Sequence, residues 1–200
     1  MRKIVIADND IIHKLACCDL LTELLQLLGV PPTEIWVLPS MPHMLRRKLK
    51  SDAKAIAVLE KFLRSVALMP EADITTLEQF PELDVGERQM LAVLLNTPDV
   101  EQLLTGDKRA LKLIGMICAN DSAINARLSD AKVDCLESIM LALIEQLGFS
   151  VVNAKVVAGK PSDGVLTMSF GAQRNEAHAR GALNSYLEAV RVTAPFVALP

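Results

Sequence analysis

The sequence predicts an α/β protein, a three-layer α/β/α sandwich around a central, mostly parallel sheet of four to five strands. Three observations carry that reading. Short apolar runs rich in β-branched residues alternate with helical stretches of about 3.6-residue period. The connections between them are short, as right-handed βαβ units require. Of the 200 residues 51% are hydrophobic, yet the aromatic ones are only five Phe, one Trp and one Tyr, so the core is built from Leu, Ile, Val, Ala and Met. An aliphatic core suits a parallel sheet covered by helices better than a β-sandwich.

Taken in order, residues 3–7 (KIVIA) read as a buried strand ending at Asp8-Asn9-Asp10. Helix follows over 11–15 and again over 20–28, with Asp19 as N-cap, Gly29 as terminator and Pro31-Pro32 forbidding continuation. Residues 34–38 (EIWVL) form a second strand, and 42–65 a basic helical stretch. A short strand is expected over 65–69, an amphipathic helix over 84–96 (DVGERQMLAVLLN) and a strand over 101–105. Helices follow over 107–117 and 120–128, then a strand over 132–136 and a helix over 137–147 ended by Gly148. The main domain is placed at 1–153. Residues 154–200 are read as an extension packed on it, with a turn at 158–163, an edge strand over 165–170 and a helix over 173–192. Its apolar stripe of Ala179, Leu183, Tyr186, Leu187 and Val190 needs a cover, either the main domain or a second copy in a homodimer.

A net charge of −3 argues against a broad nucleic-acid patch but not against a nuclease, whose carboxylates count in that sum. Cys17, Cys18, Cys118 and Cys135 have no metal-like or disulfide-like spacing, which points to a reduced, cytoplasmic setting. The apolar run at the start is too short for a signal peptide, and none approaches the roughly 18 residues of a membrane span. No GxxxxGK[ST], GxGxxG or GxSxG occurs, which sets aside the chemistries that depend on them.

Acids recur at strand ends. Asp8 follows the first strand, Asp107 follows EQLLT with Gly106 between, and Glu137 follows KVDCL. Asp10 stands beside Asp8, and Asp84 lies one turn before Glu87 on the same helix. Ligands of such sheets bind beyond the carboxyl ends of the strands. Converging carboxylates repel unless a cation joins them, and Mg²⁺ or Mn²⁺ suits oxygen donors. Each of these acids is equally placed to be an ordinary helix N-cap.

Three segments resemble the PIN-domain family. IVIADNDIIHKL is similar to its opening strand, Asp and apolar helix, DVGERQMLAVLLN to its Asp-x-Gly-Glu helix, and LLTGDKRALKLI to its strand–Thr-x-Asp–helix segment. They occur in the family's order and cover residues 3–150. The resemblance implies an α/β/α sandwich that cleaves single-stranded RNA with Mg or Mn. It implies Asp8, Glu87 and Asp107 as the catalytic, metal-holding residues, with Asp10, Asp84 and Glu137 as further members and Asp130 and Asp134 behind them. The chain departs from the pattern where PSMPHMLRRKL offers His43 and no acid, which implies a weaker or missing metal position. A bacterial toxin with an antitoxin-like partner is one branch of the family, though the tail argues for another.

Lys108 and Arg109 follow Asp107 and are expected to meet RNA phosphates, with Arg46 and Arg47 steering the backbone. Two other readings stand beside the ribonuclease: an inactive PIN-like module that binds RNA or protein, and a phosphatase-like hydrolase using Asp8, since Asp8-Asn9-Asp10 is also a phosphatase opening.

Overall fold

The computed structural model describes residues 2–6 and 8–199. Its sheet has five strands, β1 Lys3–Ile6, β2 Ile35–Val37, β3 Ala67–Leu68, β4 Val100–Leu104 and β5 Lys132–Asp134, in the order β3-β2-β1-β4-β5. Every pairing is parallel. Successive residues of a strand face opposite sides of the sheet. Ile4, Val5 and Ile6 are all fully buried, so helices cover both faces of β1 and the sandwich has three layers. The expected end of that strand at Ala7 lies outside the described residues.

Twelve α-helices and a short 3-10 helix over Pro32–Glu34 connect and cover the strands among the described residues. The α-helices are α1 Asn9–Cys17, α2 Leu21–Leu28, α3 Met41–Leu49, α4 Ala53–Leu63, α5 Ile74–Leu77, α6 Val85–Asn96, α7 Lys108–Asn120, α8 Ser122–Asp130, α9 Leu136–Leu147, α10 Phe149–Gly159, α11 Gly164–Ser169 and α12 Glu176–Arg191. Gly29 ends α2 at φ 65°, a left-handed conformation that glycine adopts without a Cβ penalty. Arg127 of α8 donates to the carbonyls of Leu94, Thr97 and Val100, pinning the end of α6 to the start of β4.

Two expectations are corrected. Asp19 does not cap α2: it sits at φ 53°, and the cap position is Leu20. Its carbonyl instead accepts from the Lys155 ammonium, and its carboxylate faces Lys155 and Lys54. Residues 165–170 are not an edge strand but α11 and its C-cap. Asp163 Oδ1 accepts the Leu166 amide at 2.8 Å, and Val165, Leu166, Ser169 and Phe170 are buried at helical spacing, which no alternation of faces would allow. Gly148 ends α9 as expected, and a further helix that the sequence reading did not include, α10, begins at the next residue.

The tail is stitched to the rest. α12 packs on α9, α7 and α11. Ala179, Leu183, Leu187 and Val190 are buried and Tyr186 is half-buried, so this chain covers the stripe. Beyond α12, the Ala198 amide donates to Val133 on the outer edge of β5 at 2.8 Å.

Candidate functional site

β1, β2 and β3 spread to one side of the sheet and β4 and β5 to the other, so the chain reverses its winding between β1 and β4. A crevice opens at the carboxyl ends of strands around such a switch point. Here it is a cleft of about 840 Å³. Asp8, Asp10, Asp84, Glu87, Asp107 and Glu71 line it, with Lys48 and Met44 among its other walls. Asp8 lies just beyond β1 and Asp107 just beyond β4. The N-terminus of α6 brings Asp84 and Glu87 over them.

Each acid is held by local backbone. Asp8 caps α1, with Oδ1 accepting the Asp10 amide at 2.6 Å and Oδ2 accepting the Gly106 amide at 2.7 Å. Asp107 caps α7 through Oδ1, which takes the amides of Arg109 and Ala110. Asp84 and Glu87 form a capping box: Asp84 Oδ1 accepts the Glu87 amide at 2.9 Å and Glu87 Oε2 accepts the Asp84 amide at 2.8 Å. The N-cap geometry and the site geometry thus use the same residues.

Glu87 is the unusual member. Its side chain is 9% exposed, and Oε1 is buried without a hydrogen bond, the nearest cation being the Arg109 guanidinium at 3.6 Å. Burial first, and then the charges of Asp84 and Asp107, push its carboxyl above the ordinary 4.5. Burial likewise lifts Asp8 above 3.8, against the pull of the amides of Asp10 and Gly106.

The remaining expected residues separate. Asp10 lines the cleft, but its oxygens are taken by Lys14 at 2.5 Å and Lys48 at 3.0 Å. Burial raises its carboxyl, and those two ammonium groups outweigh the effect and leave it below 3.8. Lys14 also pairs with Asp163 of the tail at 2.5 Å. Glu137 does not line the cleft; it is buried behind Lys108, whose ammonium lies 3.0 Å from Oε1. Asp134 is committed to Gln102, Ser138 and Lys132, and Asp130 is exposed elsewhere. Arg46 pairs with Glu60 on the outer surface, and Arg47 is exposed. Sequence reasoning missed Glu71, which comes from the loop after β3 and lines the cleft. The rule that singled out Asp8 and Asp107, an acid just past a strand, applies to it as well.

The acids lining the cleft offer hard carboxylate oxygens, and burial disfavours the charged form of two of them, Asp8 and Glu87. Among the described residues, however, no three His, Cys, Asp or Glu side chains stand close enough to hold an ion as they are placed. The caps keep the carboxylates of Asp8, Asp84 and Asp107 on backbone amides. Asp10 and Glu137 are already paired with lysines.

Comparison of the chain with protein-family models, curated proteins and solved structures finds no match in any of the three.

Proposed function

We propose that the chain is a PIN-like, Mg²⁺- or Mn²⁺-dependent hydrolase of phosphodiester bonds in single-stranded RNA, with Asp8, Glu87 and Asp107 as its metal-holding carboxylates. The observation that carries this reading is Glu87: a buried carboxylate whose Oε1 accepts no hydrogen bond, sharing one cleft with Asp8, Asp84 and Asp107 at the winding reversal of the sheet. A cation bound there would activate water and stabilise the leaving oxygen. The chain's own part is to hold that ion with Asp8, Glu87 and Asp107 and to neutralise the phosphate. Lys48 lines the cleft, and the half-exposed Lys108 and exposed Arg109 stand at the start of α7 beside Asp107. No helix among the described residues is long and apolar enough to cross a membrane.

A second reading, a binding module without activity, is favoured by the lysine and arginine partners already seated on Asp10 and Glu87. The phosphatase-like reading has less support, because each oxygen of Asp8 accepts a backbone amide, which lowers its nucleophilicity, whereas a metal ligand can keep such a bond on its second lone pair. The test is cleavage of end-labelled single-stranded RNA with Mn²⁺, with Mg²⁺ and with chelator, by the parent and by Glu87→Gln. Cleavage that requires the ion and falls at least a hundredfold in the variant is expected. Cleavage that survives chelation overturns the reading. Mn²⁺ binding without cleavage by the parent selects the module.

A further inference from the structure

We propose that Met44 and Lys48, one turn apart on α3, form a nucleotide subsite of the cleft, with a base resting on Met44 and the phosphate beside it on Lys48. This rests on the single-stranded RNA reading above and needs no ion.

The cleft is not walled by acids alone. Met44, 43% exposed, and Val85, 72% exposed, are large apolar side chains that line it, together with Leu38, Pro39 and Met90. Ligand sites combine such apolar walls with a few placed polar groups, and the apolar wall takes the uncharged body of the ligand. In a strand of RNA that body is the base. Among the described residues no aromatic side chain lines the cleft, so the polarisable thioether of Met44 takes the part that a ring plays in other strand-binding grooves.

Met44 is anchored for this. Methionine is unbranched and flexible, yet Asn9 Nδ2, at the start of α1, donates to Met44 Sδ at 3.5 Å. A thioether only accepts, so the bond fixes which end of the Asn9 amide faces the sulfur and holds the side chain at the cleft wall.

Lys48 follows Met44 by four residues, on the same face of α3, a spacing that leaves Cβ atoms about 5–6 Å apart. A base and a phosphate joined through their ribose span such a gap. The Lys48 ammonium lies 3.0 Å from Asp10 Oδ1, and Asp10 Oδ2 is held in turn by Lys14 at 2.5 Å. Asp10 takes one N–H of the Lys48 ammonium and leaves the others for phosphate oxygens. Asp10 is then a positioning residue of the cleft, which accounts for an acid that lines it with both oxygens already engaged.

The experiment measures the fluorescence anisotropy of labelled hexauridylate and of its abasic analogue, the same ribose-phosphate strand without bases. Both are titrated with EDTA and again with Ca²⁺, over a series of salt concentrations. The two side chains are half-exposed, so their variants keep the fold. The parent is expected to bind the base-bearing strand about fivefold more tightly than the abasic one. Met44→Ala is expected to lose that preference and Met44→Phe to keep it, a rescue that a merely structural role does not produce. Lys48→Met is expected to weaken both strands alike and to lower the slope of log affinity against log salt by about 1. A parent that binds the two strands equally, or a Met44→Ala that keeps the preference, overturns the subsite and leaves the RNA reading standing. So does a Lys48→Met whose affinity and slope match the parent's. A parent that binds neither strand under either condition overturns the RNA reading and this inference with it.

Discussion

Asp8 Oδ2 accepts the backbone amide of Gly106 at 2.7 Å, across 98 residues of chain. The bond ties the end of β1 to the loop after β4 and so fixes the distance between the two strand-end acids that the cleft is built around. It also requires glycine. A Cβ at position 106 would stand 2.8 Å from Asp8 Oδ2 and 3.2 Å from Ile11 Cγ1, and the same carboxylate is pinned from its other side by Asp10. Gly106→Ala should therefore displace Asp8 and weaken Mn²⁺ binding about tenfold, equivalent to ~1.4 kcal/mol. Calorimetric titration of the two proteins checks this, and equal affinities would dissociate the Gly106 contact from the site.

The strain on Glu87 predicts a pH dependence of a definite sign. Its folded-state carboxyl is raised, so the folded chain holds that proton more tightly than the unfolded one does. The ionised group consequently costs stability at neutral pH, and the cost disappears as pH falls through the raised value toward the ordinary 4.5. Glu87→Gln keeps an oxygen for the Asp84 amide and removes the charge. It should melt higher than the parent at pH 7 and level with it at pH 4, and Mn²⁺ should stabilise the parent only. Melting curves at the two pH values, with and without Mn²⁺, decide the matter.

Arg127 places three backbone carbonyls on one guanidinium. Arg127→Ala leaves acceptors at the α6–β4 junction partly unsatisfied. Denaturant unfolding should show a loss of about 2–3 kcal/mol, with Lys recovering only part because it lacks the planar fork. A loss below about 0.5 kcal/mol would mean that water replaces those bonds without penalty.

The tail is expected to be part of the stability of the whole. Leu183 is fully buried, and α7 approaches the tail so closely that a Cβ on Gly115 would meet the Thr193 carbonyl oxygen at 2.0 Å. Leu183→Ala should cost about 2–5 kcal/mol. It should lower the single melting transition of the chain and not create a second one. A separate low-temperature transition would mark the tail as an independent unit.

Much of the fold was legible because its signals are local. Three consecutive buried residues in β1 announced a sheet covered on both faces, and Gly29 announced the end of α2. Asp84 and Glu87 stand at the spacing of a capping box, so the sequence placed them together whatever their function. The error at 165–170 has the same origin: V-L-T-M-S-F alternates well enough for a strand, and only the Asp163 cap and the cover provided by neighbouring elements turn it into α11.

What the sequence determined by itself, then, was the order and kind of most elements and the acids at the ends of their strands, since strand runs, helical period and caps act over a few residues. The tertiary structure alone decided which of those acids keep free oxygens. Asp10 is met by Lys48 from α3, Glu137 by Lys108 from α7, and Lys14 by Asp163 from the tail. These are pairs between elements, and their partners are set by which strands lie side by side and where the tail docks. Coulomb attraction between exposed charges is weakened by water and screened over about 8–10 Å, so an acid's availability depends on close juxtapositions that no local pattern in the chain encodes.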